Sequence, residues 1–274
     1  MTRPIRTELD TRSMALRKTI IRTLEAGQRG HVGAALSLVE ILRVLYDDVL
    51  KYDPRNPGWS ERDRFVLSKG HGCLALYALL ADKGFIAEAE LSRFCKSDGL
   101  LGGHPERHIP GVEASTGSLG HGMSIALGFA LNARFERASY RTFVVIGDGE
   151  SNEGSIWEAA LSAGKHRLGN FVVLTDYNKH QSYGATADVQ DLEPLADKWR
   201  AFGFAAQEVN GHDVAALRDV LARVPLDPSK PTAIICHTVK GKGIAFAENN
   251  MAWHHMNKVT AQDAERLLAA LEAR

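Results

Sequence analysis

The chain has 274 residues, enough to bury a large core within one α/β domain, and its 33 Lys and Arg balance 33 Asp and Glu. Neither a global field nor a basic run interleaved with aromatics points to nucleic acid, and no stretch approaches the roughly 18 apolar residues of a membrane span. Cys73, Cys95 and Cys236 are odd in number and lack CxxC spacing, and the N-terminus MTRPIRTELDTRS has no apolar core, so buried thiols in a cytoplasmic protein are expected.

In chain order, Leu16, Ile20, Ile21 and Leu24 mark a helix over Met14 to Glu25 that ends at Gly27. The loop Gly27 to Gly33 carries His31, and Ser37 opens a second helix through Leu45. Asp53 to Trp59, rich in Pro, Asn and Gly, reads as a connection. Arg64 to Leu67 is a predicted strand, and Ser68-Lys69-Gly70-His71-Gly72 leads from it into a helix over Leu74 to Ala81. GLLGGHP from Gly99 to Pro105 presents His104 in a glycine-rich turn. GVEASTGSLGHG then runs from Gly111 to Gly122 into a helix over Met123 to Arg134. Its G-x-x-G-x-G order is not the dinucleotide fingerprint, which removes the main support for a dehydrogenase.

The next segment organises the chain. Thr142 to Ile146 and Phe171 to Leu174 are apolar, β-branched runs separated by a helical stretch with Trp157, Ala160, Leu161 and Ala163, which makes a βαβ unit. Ligands of parallel sheets sit outside the carboxyl ends of the strands, where Gly147-Asp148-Gly149 and Asp176-Tyr177-Asn178 fall. The glycines let the backbone approach an anion. An aspartate beside an anion-binding turn requires a cation between the two, and magnesium or calcium held by oxygen ligands meets that need. Leu195 to Phe202, Ala205 to Val209, Asp213 to Val224 and Thr232 to Cys236 continue the alternation as helix, strand, helix and strand. The lysines after His237 fail the P-loop pattern, because Gly243 follows Lys242. Thr260 with Asp263 is an N-cap signal for a last helix through Ala273. The alternation predicts one domain over 1–274, an α/β doubly wound parallel sheet flanked by helices.

The GDG tripeptide and an asparagine thirty residues after its aspartate resemble the diphosphate-binding signature of thiamine diphosphate enzymes. Taken with GHVG (Gly30 to Gly33), FVLSKGHG (Phe65 to Gly72), GHPE (Gly103 to Glu106), Gly111 to Gly122 and Asp176 to Gln181, the chain from about Ser13 to about His255 resembles the N-terminal, diphosphate-binding domain of transketolase. The resemblance implies that His31, His71, His104 and His254 line the channel to the thiazolium, and that Glu153 joins an intersubunit proton network. It places Gly117, Leu119, Gly147, Asp148, Gly149, Glu150 and Asn178, with His71, around the cofactor. The metal is then held by Asp148, Asn178 and the backbone carbonyl of His180.

This chain departs from the family pattern in three places. His121 stands where glutamine is common, and valine follows His31 where full-length members have proline, both as in separately encoded N-terminal halves. His255 and Met256 replace the usual glycine region after His254. The resemblance implies a separate C-terminal subunit carrying the pyrimidine-binding domain and its activating glutamate, an α2β2 assembly, and ketol transfer between sugar phosphates. Two related thiamine diphosphate readings stand beside it, the α subunit of a 2-oxo acid dehydrogenase or decarboxylase and a deoxyxylulose phosphate synthase-like enzyme. A non-catalytic regulatory subunit is the reading from another class.

Overall fold

Each run predicted as a strand forms one: β1 (Arg64–Leu67), β2 (Thr142–Gly147), β3 (Phe171–Tyr177), β4 (Ala205–Asn210) and β5 (Thr232–His237). The structure, a computed structural model, describes residues 7–256 and 258–273, so the two ends of the expected 1–274 domain lie outside the described residues. The strands pair in the order β1-β2-β3-β5-β4 and every neighbour is parallel. β2 and β3 are buried along their whole length. Parallel strands covered on both faces must be apolar throughout, which explains their unbroken Val, Ile and Leu runs.

The pleat sends alternate side chains into two cores. Val145, Leu174 and Ile234 point to one face, where α1 (Thr11–Gly27), α2 (Val32–Val44), α3 (Cys73–Asp82), α8 (Val214–Ala222) and α9 (Ala261–Glu272) add Leu24, Leu38, Leu76, Leu217 and Leu267. Val144, Ile146, Val173 and Ile235 point to the other face, covered by α4 (His121–Phe135), α5 (Gly154–Lys165) and α7 (Leu195–Ala201). A short α6 (Thr186–Val189) follows β3. The sheet is therefore doubly wound. Asp10 caps α1 by accepting the Ser13 N–H at 2.8 Å, and Thr260 with Asp263 closes the expected capping box on α9.

Helix boundaries differ from expectation by up to five residues, most at the start of α2. α2 begins at Val32 rather than Ser37, and every residue from Val32 to Val44 is buried. A helix buried all round has no polar face to announce its start, and Gly33 reads as a breaker. That glycine has a packing reason: a Cβ there would lie 3.0 Å from the Trp253 carbonyl oxygen and 3.3 Å from Lys240 Cγ. The start of α2 is thus held against two segments that reach the site.

Candidate active site

The carboxyl ends of β1, β2, β3 and β5 open into a cavity of about 350 Å³, and every candidate residue named from the sequence lines it. His71 follows β1, Gly147, Asp148, Gly149, Glu150 and Glu153 follow β2, and Asn178 and His180 follow β3. Gly117 and Leu119 precede α4, while His31, His104 and His254 come from loops. A wider, open groove of about 760 Å³ beside α4 holds none of them. Its Arg62 is paired with Glu113 at 2.7 Å and its Arg64 stacks over Tyr140.

His31 sits at the centre of the histidine group. Its ring centroid lies 5.3 Å from that of His71, 6.1 Å from His254 and 6.3 Å from His104. Burial, followed by the neighbouring imidazoles, lowers His31 to about 3. Burial and then Lys240 lower His254 to about 4. His71 is held well below its ordinary value by burial and Lys69, and His104 is lowered by burial and His255. The four imidazoles are therefore neutral at physiological pH, and each can both donate and accept a hydrogen bond.

Two carboxylates organise the floor. Asp176 is fully buried. It pairs with Lys69 Nζ at 2.6 Å and accepts from Ser37 Oγ at 2.6 Å, from Thr238 Oγ1, and from Asn178 Nδ2 at 3.3 Å. Burial works against its charge, but Lys69 and these donors outweigh it and hold the carboxyl below its ordinary value. Glu150 accepts from Ser68 Oγ and from the N–H groups of Gly120 and Gly147, which ties together the loops of β1, α4 and β2. It lines the cavity, yet its oxygens are engaged with the protein. Above this floor, Asp148 accepts from the Gly149 and Lys179 N–H groups at 2.8 and 2.5 Å and from Thr186 Oγ1 at 3.2 Å. Burial and then Asp176 raise it to about 6.

The donor set fits a hard cation. Asp148, the Asn178 amide oxygen and the His180 carbonyl are all oxygens, and among the described residues no trio of His, Cys, Asp or Glu is assembled into a protein-only metal cage. An incomplete oxygen set leaves coordination positions for a ligand's phosphate oxygens. His180 directs Nδ1 to the Asn178 carbonyl at 3.1 Å, and its own carbonyl accepts from Lys240 Nζ at 3.2 Å. An anionic ligand also fits. Gln181 Nε2 and His254 Nδ1 are buried at this cavity with no partner among the described residues, a state that buried polar groups rarely keep without a ligand.

The sequence profile described as "Transketolase, thiamine diphosphate binding domain" matches residues 10–271. The chain belongs to the transketolase family. It is a transferase chain of the N-terminal, thiamine diphosphate-binding kind, which sets aside the 2-oxo acid, deoxyxylulose phosphate and regulatory readings. This transketolase chain is 42% identical over 266 residues to the "6-deoxy-6-sulfo-D-fructose transketolase subunit SqwG" of Clostridium sp. (strain MSTE9), covering 97% of this chain and 96% of that one. It is 39% identical to an apulose-4-phosphate transketolase subunit of Phocaeicola vulgatus, covering 90% and 88%. The transketolase of Leishmania mexicana superposes with a TM-score of 0.89 at 32% identity, covering 97% of this chain and 41% of that chain. The chain thus spans about two-fifths of the length of that solved transketolase.

Sequence reasoning missed five residues that line this transketolase site, namely Lys69, Gln181, Ser182, Tyr183 and Lys240. Lys69 stands inside the SKGHG run, two residues before His71. Lys240 lies in the run set aside as a failed P-loop, and it donates to the His180 carbonyl at 3.2 Å. Its loop is held from beneath. Arg17 Nε donates to the Lys242 carbonyl at 2.8 Å, and the Val239 N–H donates to His212 Nε2 at 2.8 Å. Glu40 joins the two anchors through Arg17 at 2.6 Å and His212 Nδ1 at 2.8 Å.

Proposed function

We propose that this chain is the diphosphate- and metal-binding half of a split transketolase that moves a two-carbon ketol group from a ketose to an aldose, each carrying a terminal anionic group. The observation that carries the reading is a single cavity in which hard oxygen donors, two lysines and four neutral imidazoles meet. Thiamine diphosphate, when bound, supplies the nucleophilic carbon and the electron sink for breaking the carbon–carbon bond beside a ketose carbonyl.

The protein's own groups divide the remaining work. Asp148, Asn178 and the His180 carbonyl hold magnesium or calcium, with Gly147 and Gly149 letting the backbone approach the diphosphate. Lys69, Lys240 and Gln181 donate to its oxygens, and burial with the neighbouring Lys69 lowers Lys240 to about 8, which an arriving anion would reverse. Gly117 and Leu119 border the cofactor, and a Cβ at 117 would lie 2.9 Å from His104 Cδ2, so glycine keeps the channel wall close. His31, His71, His104 and His254 hydrogen-bond the sugar carbonyl and hydroxyls and pass protons between them, with His254 Nδ1 unpaired for that use.

Glu153 lies exposed at the rim, beside the start of α5, where a second chain can reach it. Ile125 and Phe135 on α4 and Leu161 on α5 are exposed on the same side of the sheet, as expected of a surface that another chain covers. The relatives named above are themselves called subunits, which supports a pyrimidine-domain partner and an α2β2 assembly of closed symmetry. Three free thiols, two of them buried, fit the reducing cytoplasm. Mixing the purified chain with the partner at one-to-one stoichiometry, with thiamine diphosphate and magnesium, should produce ketol transfer that neither chain shows alone. Full activity from the 274-residue chain by itself would refute the split reading.

A further inference from the structure

His255 stands in what the resemblance to transketolase gives as a glycine region, and the fold brings it against His31 beside the cavity. Gly30 and Met256 form an isolated antiparallel bridge, exchanging N–H to carbonyl hydrogen bonds of 2.9 Å in both directions. In such a bridge the residue after one partner stands opposite the residue before the other, so His31 faces His255. Their ring centroids are 4.3 Å apart with the planes tilted by 34°, closer than His31 comes to any of the other three channel histidines. The pairing is anchored on both sides. Val259 N–H donates to the Gln28 carbonyl at 2.7 Å, and buried Trp253 packs against Phe246 at 5.0 Å.

Exposure rises along the histidines. His31 touches His71 on its buried side, while His255 is exposed to solvent. A ligand arriving from solvent therefore meets His255 before it reaches His31 and the floor. We propose that His255 is a fifth channel imidazole and a specificity-determining residue, donating a hydrogen bond to the outer hydroxyl or anionic oxygens of the sugar as it enters. The effect of His255 on its neighbours fits that place, since it is among the groups that disfavour a proton on His31, His104 and His254. His255 is not itself one of the residues lining the cavity of about 350 Å³ but stacks against His31, which is one of the four imidazoles assigned to the sugar there. The inference rests on the transketolase reading above and adds to it a residue outside the family's set.

The test uses the complete complex with its partner, thiamine diphosphate and magnesium, comparing wild type with His255→Gly and His255→Gln. D-fructose 6-phosphate and 6-deoxy-6-sulfo-D-fructose serve as probe ketoses. Loss of one hydrogen bond to a charged or hydroxyl oxygen raises KM by about 5- to 10-fold. We expect that rise in His255→Gly for at least one probe, with kcat within about twofold and thiamine diphosphate affinity unchanged. His255→Gln, whose amide nitrogen reaches a similar position, should recover most of it. Wild-type KM for both probes in an active His255→Gly complex overturns the assignment. So does a KM change that moves together with cofactor affinity, which would mark a structural effect through the Gly30–Met256 bridge, and so does failure of glutamine to improve on glycine. A wild-type complex that transfers no ketol group from either probe overturns the parent reading instead, and the role of His255 with it.

Discussion

Asp176→Ala tests whether the floor of the site is an ion pair that the fold depends on. Asp176 and Lys69 are both buried, 2.6 Å apart, so removing the carboxylate leaves an ammonium group in the interior without its partner. Breaking a buried pair in this way costs about 3–5 kcal/mol. Ser37, Thr238 and Asn178 lose an acceptor at the same time, which favours the upper end. A chain of this class holds only about 5–15 kcal/mol of net stability, so the loss is a large share of the total. At roughly 2–4 °C per kcal/mol, the melting temperature should fall by about 6–20 °C. The assay is thermal unfolding of the purified chain followed by circular dichroism. The double variant Lys69→Met with Asp176→Leu should recover much of the loss, because paired apolar replacement of a buried ion pair is often neutral, yet it should still fail to bind thiamine diphosphate. A fall of less than about 2 °C in Asp176→Ala would refute the reasoning, because it would place Lys69 in contact with water.

Asp148→Ala should abolish metal-dependent binding of thiamine diphosphate to the assembled enzyme while the far-ultraviolet circular dichroism is unchanged, and calorimetry with and without magnesium checks this. His104→Ala should raise KM for the ketose by about tenfold, the loss of one strong hydrogen bond, with cofactor affinity unchanged in the same preparation. Acid should destabilise the chain through its buried histidines. His31 and His254 lie at about 3 and about 4 in the folded chain, against 6.5 ordinarily. Between those values the unfolded chain binds protons that the folded chain refuses, so their contribution is full above pH 6.5 and is lost as pH falls through the window. Burial raises Asp148 and so opposes this trend. The comparison to make is wild type against His31→Gln at pH 7.5 and pH 5, and the wild type should lose more melting temperature on acidification. Equal losses would show that His31 is not protected from protonation by the fold.

The strands and most of the helices were legible in the sequence because their signals are local, whereas most of the candidate site residues were named through the resemblance to transketolase and are brought to one cavity by the fold. β-Branched runs mark β2 and β3 whatever surrounds them, and strand ends are where a parallel sheet presents ligands. The spacing from Asp148 to Asn178 therefore placed two oxygen donors at neighbouring strand ends before any packing was known. Thr260 and Asp263 announced the last helix through a motif complete within four residues. The remainder depends on groups far apart in the chain. The insertion of β5 between β3 and β4 follows from which apolar faces can be covered together, and no window of sequence contains that comparison. α2 starts early because its whole surface is buried, which erases the periodicity that would have marked it. Lys69 and Asp176 are 107 residues apart, and Arg17 reaches the Lys242 carbonyl across 225. His31 meets His255 only because Gly30 and Met256 pair. Residue types and short spacings record what each segment can do with its own neighbours, whereas buried charge partners and facing side chains are chosen by tertiary packing. A buried ammonium needs a carboxylate wherever in the sequence that carboxylate comes from.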